Sequence, residues 1–183
     1  MLRNFILALG LLLLLGITVL AGLAMRHKPA GPREITVVSN PVTNLVLQGR
    51  GDRGLVRRGT TRVRELMAAG VPVAFGQDCV QDGFYPFGRG DLLEVALISA
   101  HAAHLSTTAE LHQALAAVTS VPAAAWHLGD GYGVAVGARA DLQLYAATSW
   151  PEALRLQDPP REVWFRGLSV ARTTVTRELV RVI

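Results

Sequence analysis

The 183-residue sequence contains a single cysteine, Cys79, so no disulfide can form within the chain. That is neutral to mildly favourable for a reducing compartment. Aromatic residues make up only 6% and charged residues 17%. The net charge of +4 is carried by arginine rather than lysine, and no basic stripe alternates with aromatics, which argues against a nucleic-acid partner. The Gly-Arg-rich stretch at 49–54 lacks the Lys-Ser/Thr pair of a phosphate-binding P-loop. Ser99, Ser106 and Ser169 sit in no nucleophile-elbow context. No internal repeat is present. The length suits one ordinary domain and excludes a complete eight-stranded α/β barrel, which takes roughly 250 residues.

Apolar residues are abundant, at 50%, and are concentrated at the N-terminus. Residues 5–25 carry no charge, and about 20 such residues cross one bilayer. Arg3 precedes this stretch; Arg26, His27 and Lys28 follow it. The excess of positive charge on the C-terminal flank orients an anchored chain with a cytoplasmic body. Two other readings stay open. One is a secretory signal, with small residues for cleavage at Val19-Leu20-Ala21 and Gly22-Leu23-Ala24. The other is a stretch that never meets a membrane, which leaves the protein cytoplasmic. A buried core helix is disfavoured, because a helix apolar on every face needs more protein to cover it. The expected organisation is a hydrophobic anchor or signal-like segment at 1–28 and a linker at 29–33. A body at 34–132 and a β-rich segment at 133–183 follow.

Within the body, Ile35-Thr36-Val37-Val38 reads as a buried strand ending at Ser39-Asn40-Pro41. A long loop is expected over 44–60, then a helix over 61–69 stopped by Gly70. The run Val71-Pro72-Val73-Ala74-Phe75 reads as a second strand. Strand, helix, strand in this order is a βαβ unit, so the two strands are expected to be parallel neighbours. Asp91 with Glu94, and Thr107 with Glu110, read as capping boxes that open two further helices. Pro122 opens a short helix stopped by Gly129. The tail turns to strands, with a hairpin pivoting on Gly167.

Asp78 is the leading candidate for chemistry. A carboxylate just past a parallel strand is where a barrel enzyme places a metal ligand or general base; the alternative is a turn or helix cap. Asn40 and Asn44 flank the first strand end, where amides orient polar heterocycles, although an Asn-Pro pair is also an ordinary turn. His101 and His104 lie three apart on one helix, a spacing that suits a metal, but no acidic residue completes the site, and packing histidines are the simpler reading. His112 and His127 have no constellation. Cys79 is expected as a buried, inert thiol.

These residues carry a resemblance. Val38-Ser39-Asn40-Pro41-Val42-Thr43-Asn44-Leu45-Val46-Leu47-Gln48-Gly49-Arg50 resembles the seventh strand and following loop of bacterial cytosine deaminases, in the amidohydrolase superfamily. The likeness runs through Arg57-Arg58-Gly59-Thr60-Thr61-Arg62-Val63, Glu65-Leu66-Met67, Phe75-Gly76-Gln77-Asp78-Cys79-Val80 and Leu92-Leu93-Glu94-Val95. Gly137-Ala138-Arg139-Ala140-Asp141-Leu142 is similar to a turn shared across the superfamily. The resemblance implies an α/β fold: the C-terminal portion of a (β/α)8 barrel, with strands seven and eight in 34–132. Part of a small β-sandwich domain follows, and one hydrophobic helix precedes.

The resemblance also implies chemistry. Family members hold one divalent metal, iron or zinc, and a metal-activated water displaces ammonia from the ring. Asp78 matches the aspartate that ligates the metal and handles the water's proton. Gln77 takes a place that is His in some relatives. Asp82-Gly83-Phe84-Tyr85 stands where Asp-Pro-Trp-Tyr is common, which makes Phe84, with Asn40, the implied substrate contacts. The substrate class implied is a small pyrimidine or triazine-like ring.

The family's other ligands, a His-x-His pair and two further histidines, and its proton-transferring glutamate have no counterpart in this sequence. The expectation is therefore a truncated C-terminal half that neither binds the metal nor turns over alone. Two alternatives stand beside it: a membrane-anchored, non-catalytic remnant touching lipid through 5–25, or one half of a split enzyme completed by a separate histidine-bearing chain. The tail strands are expected to have unpaired edges.

Overall fold

The computed structural model describes residues 5–12, 17–21 and 35–180. The apolar N-terminal stretch forms two strands, β1 (Phe5–Leu12) and β2 (Ile17–Ala21), antiparallel to each other. The body follows with β3 (Val37–Ser39), α1 (Pro41–Leu47), α2 (Val63–Ala68), β4 (Val73–Phe75), α3 (Leu92–Ala102), α4 (Thr108–Ala117) and α5 (Ser120–Ala125). A 3-10 turn (Gly129–Gly131) leads to β5 (Leu142–Tyr145), α6 (Trp150–Leu156), β6 (Glu162–Phe165) and β7 (Leu168–Arg172). The class is α/β, with two sheets and no closed barrel among the described residues.

The first sheet is the expected parallel pair, with Val37, Val38 and Ser39 opposite Val73, Ala74 and Phe75. The second is antiparallel, in the order β2-β1-β5-β6-β7. It overturns two expectations. The N-terminal hydrophobic helix is replaced by β1 and β2, and among the described residues no helix is long and apolar enough to cross a membrane. The edge of β5, expected to be open, is paired with β1, Phe5 lying opposite Tyr145 and Ala8 opposite Leu142. The physical reason is that apolar length alone does not separate a membrane helix from a strand, and the free N–H and C=O groups of a sheet edge take up a strand readily. The linker at 29–33 and the charged flanks Arg3, Arg26, His27 and Lys28 lie outside the described residues.

α3 is the centre of the core. Leu92, Leu93, Val95, Ala96, Ser99 and Ala100 are all buried, and α1, α4, α6, β2 and β4 pack on it. Asp91 caps its start by accepting from the Leu93 N–H at 2.9 Å. The expected return arm of that box is absent, because Arg89 pairs with Glu94 at 3.0 Å. The second box is complete: Thr107 and Glu110 cap α4 reciprocally. Trp150 ties α6 to α4 by donating its indole N–H to the Leu111 carbonyl at 2.8 Å.

The tail hairpin is fastened from a distance. Arg166 and Gly167 have φ of 51° and 78°, the left-handed pair a two-residue primed turn needs. The buried Asp141 carboxylate accepts from the Arg166 N–H at 2.6 Å and from Arg139 Nε at 2.6 Å, and Gly167 N–H donates to Ala140 at 2.9 Å. The Ala-Asp-Leu turn is thus the clasp of the β6–β7 hairpin. Asp141→Ala is expected to lower stability by about 1.5–3 kcal/mol, the range for hydrogen bonds to a charged group. Urea unfolding measures this, with exposed Ser169→Ala shifting stability by no more than about 0.5 kcal/mol.

A pH effect follows from α4. The backbone N–H groups of Thr107 and Ser106, then the Thr107 hydroxyl, hold the Glu110 carboxyl at about 2, below its ordinary 4.5. The folded value lies under the unfolded one, so its contribution is complete above about pH 4.5 and is lost as pH falls toward 2. Glu110→Gln is expected to flatten the acid side of the melting-temperature profile across that window.

Candidate functional site

The parallel ladder continues one step past β4, where Gly76 N–H donates to the Ser39 carbonyl at 3.0 Å. The chain then leaves the sheet. Gln77 is buried, at 5% exposure, and Asp78 turns outward into solvent with φ of 64°. A positive φ in a residue carrying a Cβ is uncommon and is held in place by its surroundings.

The surroundings come from α1, the helix the sequence reading took for the end of a strand and the start of a loop. Pro41 occupies its first turn, a position where the missing N–H is harmless and the fixed φ suits a helix. From α1 the buried Thr43 hydroxyl donates to the Gln77 carbonyl at 3.2 Å and accepts from the Cys79 N–H at 3.4 Å. Asn40, just before α1, makes no side-chain cap to the helix and lies against Gly76. A Cβ at Gly76 would sit 2.5 Å from Asn40 Oδ1.

The expected loop at 44–60 is folded back onto α1. Gly59 N–H donates to Gln48 Oε1 at 2.7 Å, Arg58 reaches the Leu45 carbonyl, and Asp52 and Arg57 pair within the loop. Asn44 lies in the helix, one turn after Asn40, whose carbonyl accepts its N–H at 3.3 Å.

Beyond Asp78, Asp82 organises the loop. Its carboxylate accepts from the Tyr85 and Phe84 N–H groups, both at 2.9 Å, and faces the Cys79 thiol. Those bonds, Tyr85's first, hold the Asp82 carboxyl below its ordinary range. The same contact pushes the Cys79 thiol up, which fits an unreactive cysteine. The turn sends Tyr85 into the core and leaves Phe84 63% exposed.

The structure therefore brings Asn40 to the backbone two residues before Asp78 and places Phe84 outward in the loop that follows. It gathers no histidine there. His101 and His112 bond their own helices through Nδ1, to Leu97 at 2.8 Å and Thr108 at 2.7 Å. Among the described residues no group of three His, Cys, Asp or Glu side chains could hold a metal ion. Sequence reasoning missed Thr43 as a contact, and it gave Gln77 no physical role. Both amide atoms of Gln77 are buried without a partner among the described residues. Pro41 was the available signal for α1.

Comparison with known proteins places this geometry. The sequence profile described as the amidohydrolase family matches residues 27–171. The chain is 37% identical over 140 residues to the pterin deaminase of Rhizobium rhizogenes strain K84, covering 76% of this chain and 32% of that protein. Among solved structures, it is similar to the 5-methylcytosine deaminase of Klebsiella pneumoniae liganded with 5-fluorocytosine, with TM-score 0.72 and 36% identity. That match covers 80% of this chain and 35% of the other. It is also similar to the N-isopropylammelide isopropylaminohydrolase of Burkholderia multivorans, with TM-score 0.58 and 36% identity over 63% of this chain and 29% of that one. The chain spans about a third of the length of the relatives it matches.

The Asn40–Gly76 contact is directly testable. Gly76→Ala is expected to displace the Asn40 amide and cost about 1–3 kcal/mol, the range for overpacking. A shift of the Asn40 side-chain NH2 resonances, with α3 and α4 resonances unmoved, checks it.

Proposed function

The chain belongs to the amidohydrolase family, and on that premise we propose that it contributes the strand-end carboxylate of a deaminase. The substrate is a small aminated ring of the cytosine, pterin or triazine kind. Two relatives whose names state deamination support this reading, one of a pterin and one of 5-methylcytosine. The observation that carries it is Asp78. The fold holds it just past the end of a parallel strand, open to solvent, in a left-handed backbone conformation.

Deamination replaces the ring amino group with oxygen from water and releases ammonia. A carboxylate suits the proton part of this exchange. It accepts a proton as water adds to the ring carbon and returns it to the departing nitrogen. Asn40, with no side-chain cap to make, is placed to hold a polar ring edge, and Phe84 to cover a ring face.

The iron or zinc of the family does not fit the described residues alone. Asp78 is one ligand, and a catalytic zinc takes about three from protein. The remaining ligands and the proton-transferring glutamate therefore come from polypeptide other than the described residues. The parallel sheet offers a place for it: among those residues β3 and β4 pair only with each other, and Val38 on β3 is 59% exposed. A histidine-bearing polypeptide adding parallel strands there is the partner this reading requires.

The test uses the full chain with iron or zinc, alone and co-expressed with a polypeptide carrying the family's histidines. Ammonia release is assayed on cytosine, 5-methylcytosine, pterin and an aminotriazine. The chain alone is expected to release none. The co-expressed pair is expected to turn over, and Asp78→Asn to lower its rate by about 10²–10⁴-fold, as for loss of a general acid–base. Turnover that Asp78→Asn leaves unchanged would sink the proposal.

A further inference from the structure

We propose that Thr43 is the positioning residue for Asp78; the inference rests on the reading of Asp78 as the functional carboxylate. Thr43 lies 35 positions earlier, on a different element, and is 1% exposed. Its hydroxyl is bonded on both sides, donating to the Gln77 carbonyl at 3.2 Å and accepting from the Cys79 N–H at 3.4 Å. Those two groups bracket Asp78. A single buried oxygen thus pins the backbone immediately before and after the carboxylate.

The clamp accounts for a conformation that is otherwise unfavourable. Left-handed backbone is disfavoured for residues with a Cβ, with Asp among the few that tolerate it, and Asp78 sits there with φ of 64°. Its side chain is exposed and its carboxylate forms no hydrogen bond among the described residues, so what the fold fixes is the backbone and the direction of its Cβ. If the Thr43 hydroxyl is removed, the Gln77 carbonyl and the Cys79 N–H lose their shared partner, which is costly where such groups stay buried. The chain relieves that cost by leaving the left-handed region, and the carboxylate swings with it.

α1 is itself braced for this role. Gly59 N–H and the Arg58 guanidinium hold its last turn, while Asn40 before its start packs on Gly76. The threonine hydroxyl is therefore presented from a fixed body to a loop that has few other bonds. The class of residue required at 43 is a short hydroxyl. Serine keeps the bonds and valine keeps only the shape.

The experiment is NMR on the full chain, labelled with 15N and 13C. In the wild type the Cys79 amide is expected to exchange at least about tenfold more slowly than that of neighbouring Val80, as one added hydrogen bond predicts. Asp78 should show the carbon shifts of a left-handed residue. Thr43→Val is expected to raise Cys79 exchange about tenfold and move Asp78 out of that region, with α3 and α4 shifts retained; Thr43→Ser restores both signatures. A folded Thr43→Val chain with wild-type Asp78 shifts overturns the proposal. So does a wild-type Cys79 amide that exchanges as fast as Val80, a measurement that needs no variant and decides the matter even where Thr43→Val does not fold. The two readings fail separately: the exchange data judge the clamp, and the ammonia assay with Asp78→Asn judges the deaminase.

Discussion

Burial of the apolar residues of α3 is the constraint to which the rest of the structure answers. A helix whose Leu92, Leu93, Val95, Ala96, Ser99 and Ala100 are buried, with His101 left exposed, must be roofed over most of its surface. Fully burying one Leu or Val contributes about 1.5–3 kcal/mol, so a helix presenting Leu92, Leu93 and Val95 to the interior draws other elements onto itself. The roof is α1, α4, α6, β2 and β4. α4 and α6 are fixed further by bonds of their own, α4 by its capping box and α6 by the Trp150 bond to Leu111, and α1 carries Thr43. The candidate site is a downstream effect of that arrangement, because the same α1 that covers α3 also reaches the end of β4.

Local signals were legible where one short stretch of chain decides the outcome. β4, α3, α4 and the hairpin at Gly167 follow from alternation, caps and a turn dipeptide, and all are present. The place of Asp78 past a strand was legible because an apolar run ends shortly before it. α1 was not, since Asn-Pro opens turns and helices alike and nothing in the next seven residues separates the two. Glu94 shows a different limit: its spacing from Asp91 promised a reciprocal cap, but the neighbouring Arg89 offers a full charge and wins the carboxylate. Thr43 and Gln77 left no trace in the sequence because their contacts span distant elements. The N-terminal stretch misled because hydrophobic length records apolarity and is silent on the sheet edge waiting at β5.

The chain also separates two things that usually travel together. About a third of a relative's length reproduces that relative's backbone with a TM-score of 0.72. Fold is divisible here, because the α3-centred core closes within the segment. A barrel active site is not divisible, since its groups are drawn from the ends of several strands. The segment accordingly holds one carboxylate in a well-defined pose and no companion ligands among the described residues. Thr43, on a neighbouring helix of the same segment, bonds the backbone on either side of that carboxylate.

The pairing of β1 with β5 has a consequence for how the molecule is made. Phe5 leaves the ribosome long before Tyr145, the residue it lies opposite. At about 5–20 residues per second, the two apolar strands wait on the order of ten seconds for the edge that receives them. During that interval the most hydrophobic part of the chain is synthesised, and β1 and β2 have only each other as partners. The architecture of the second sheet thus makes the arrival of β5 the moment at which the second edge of β1 is covered.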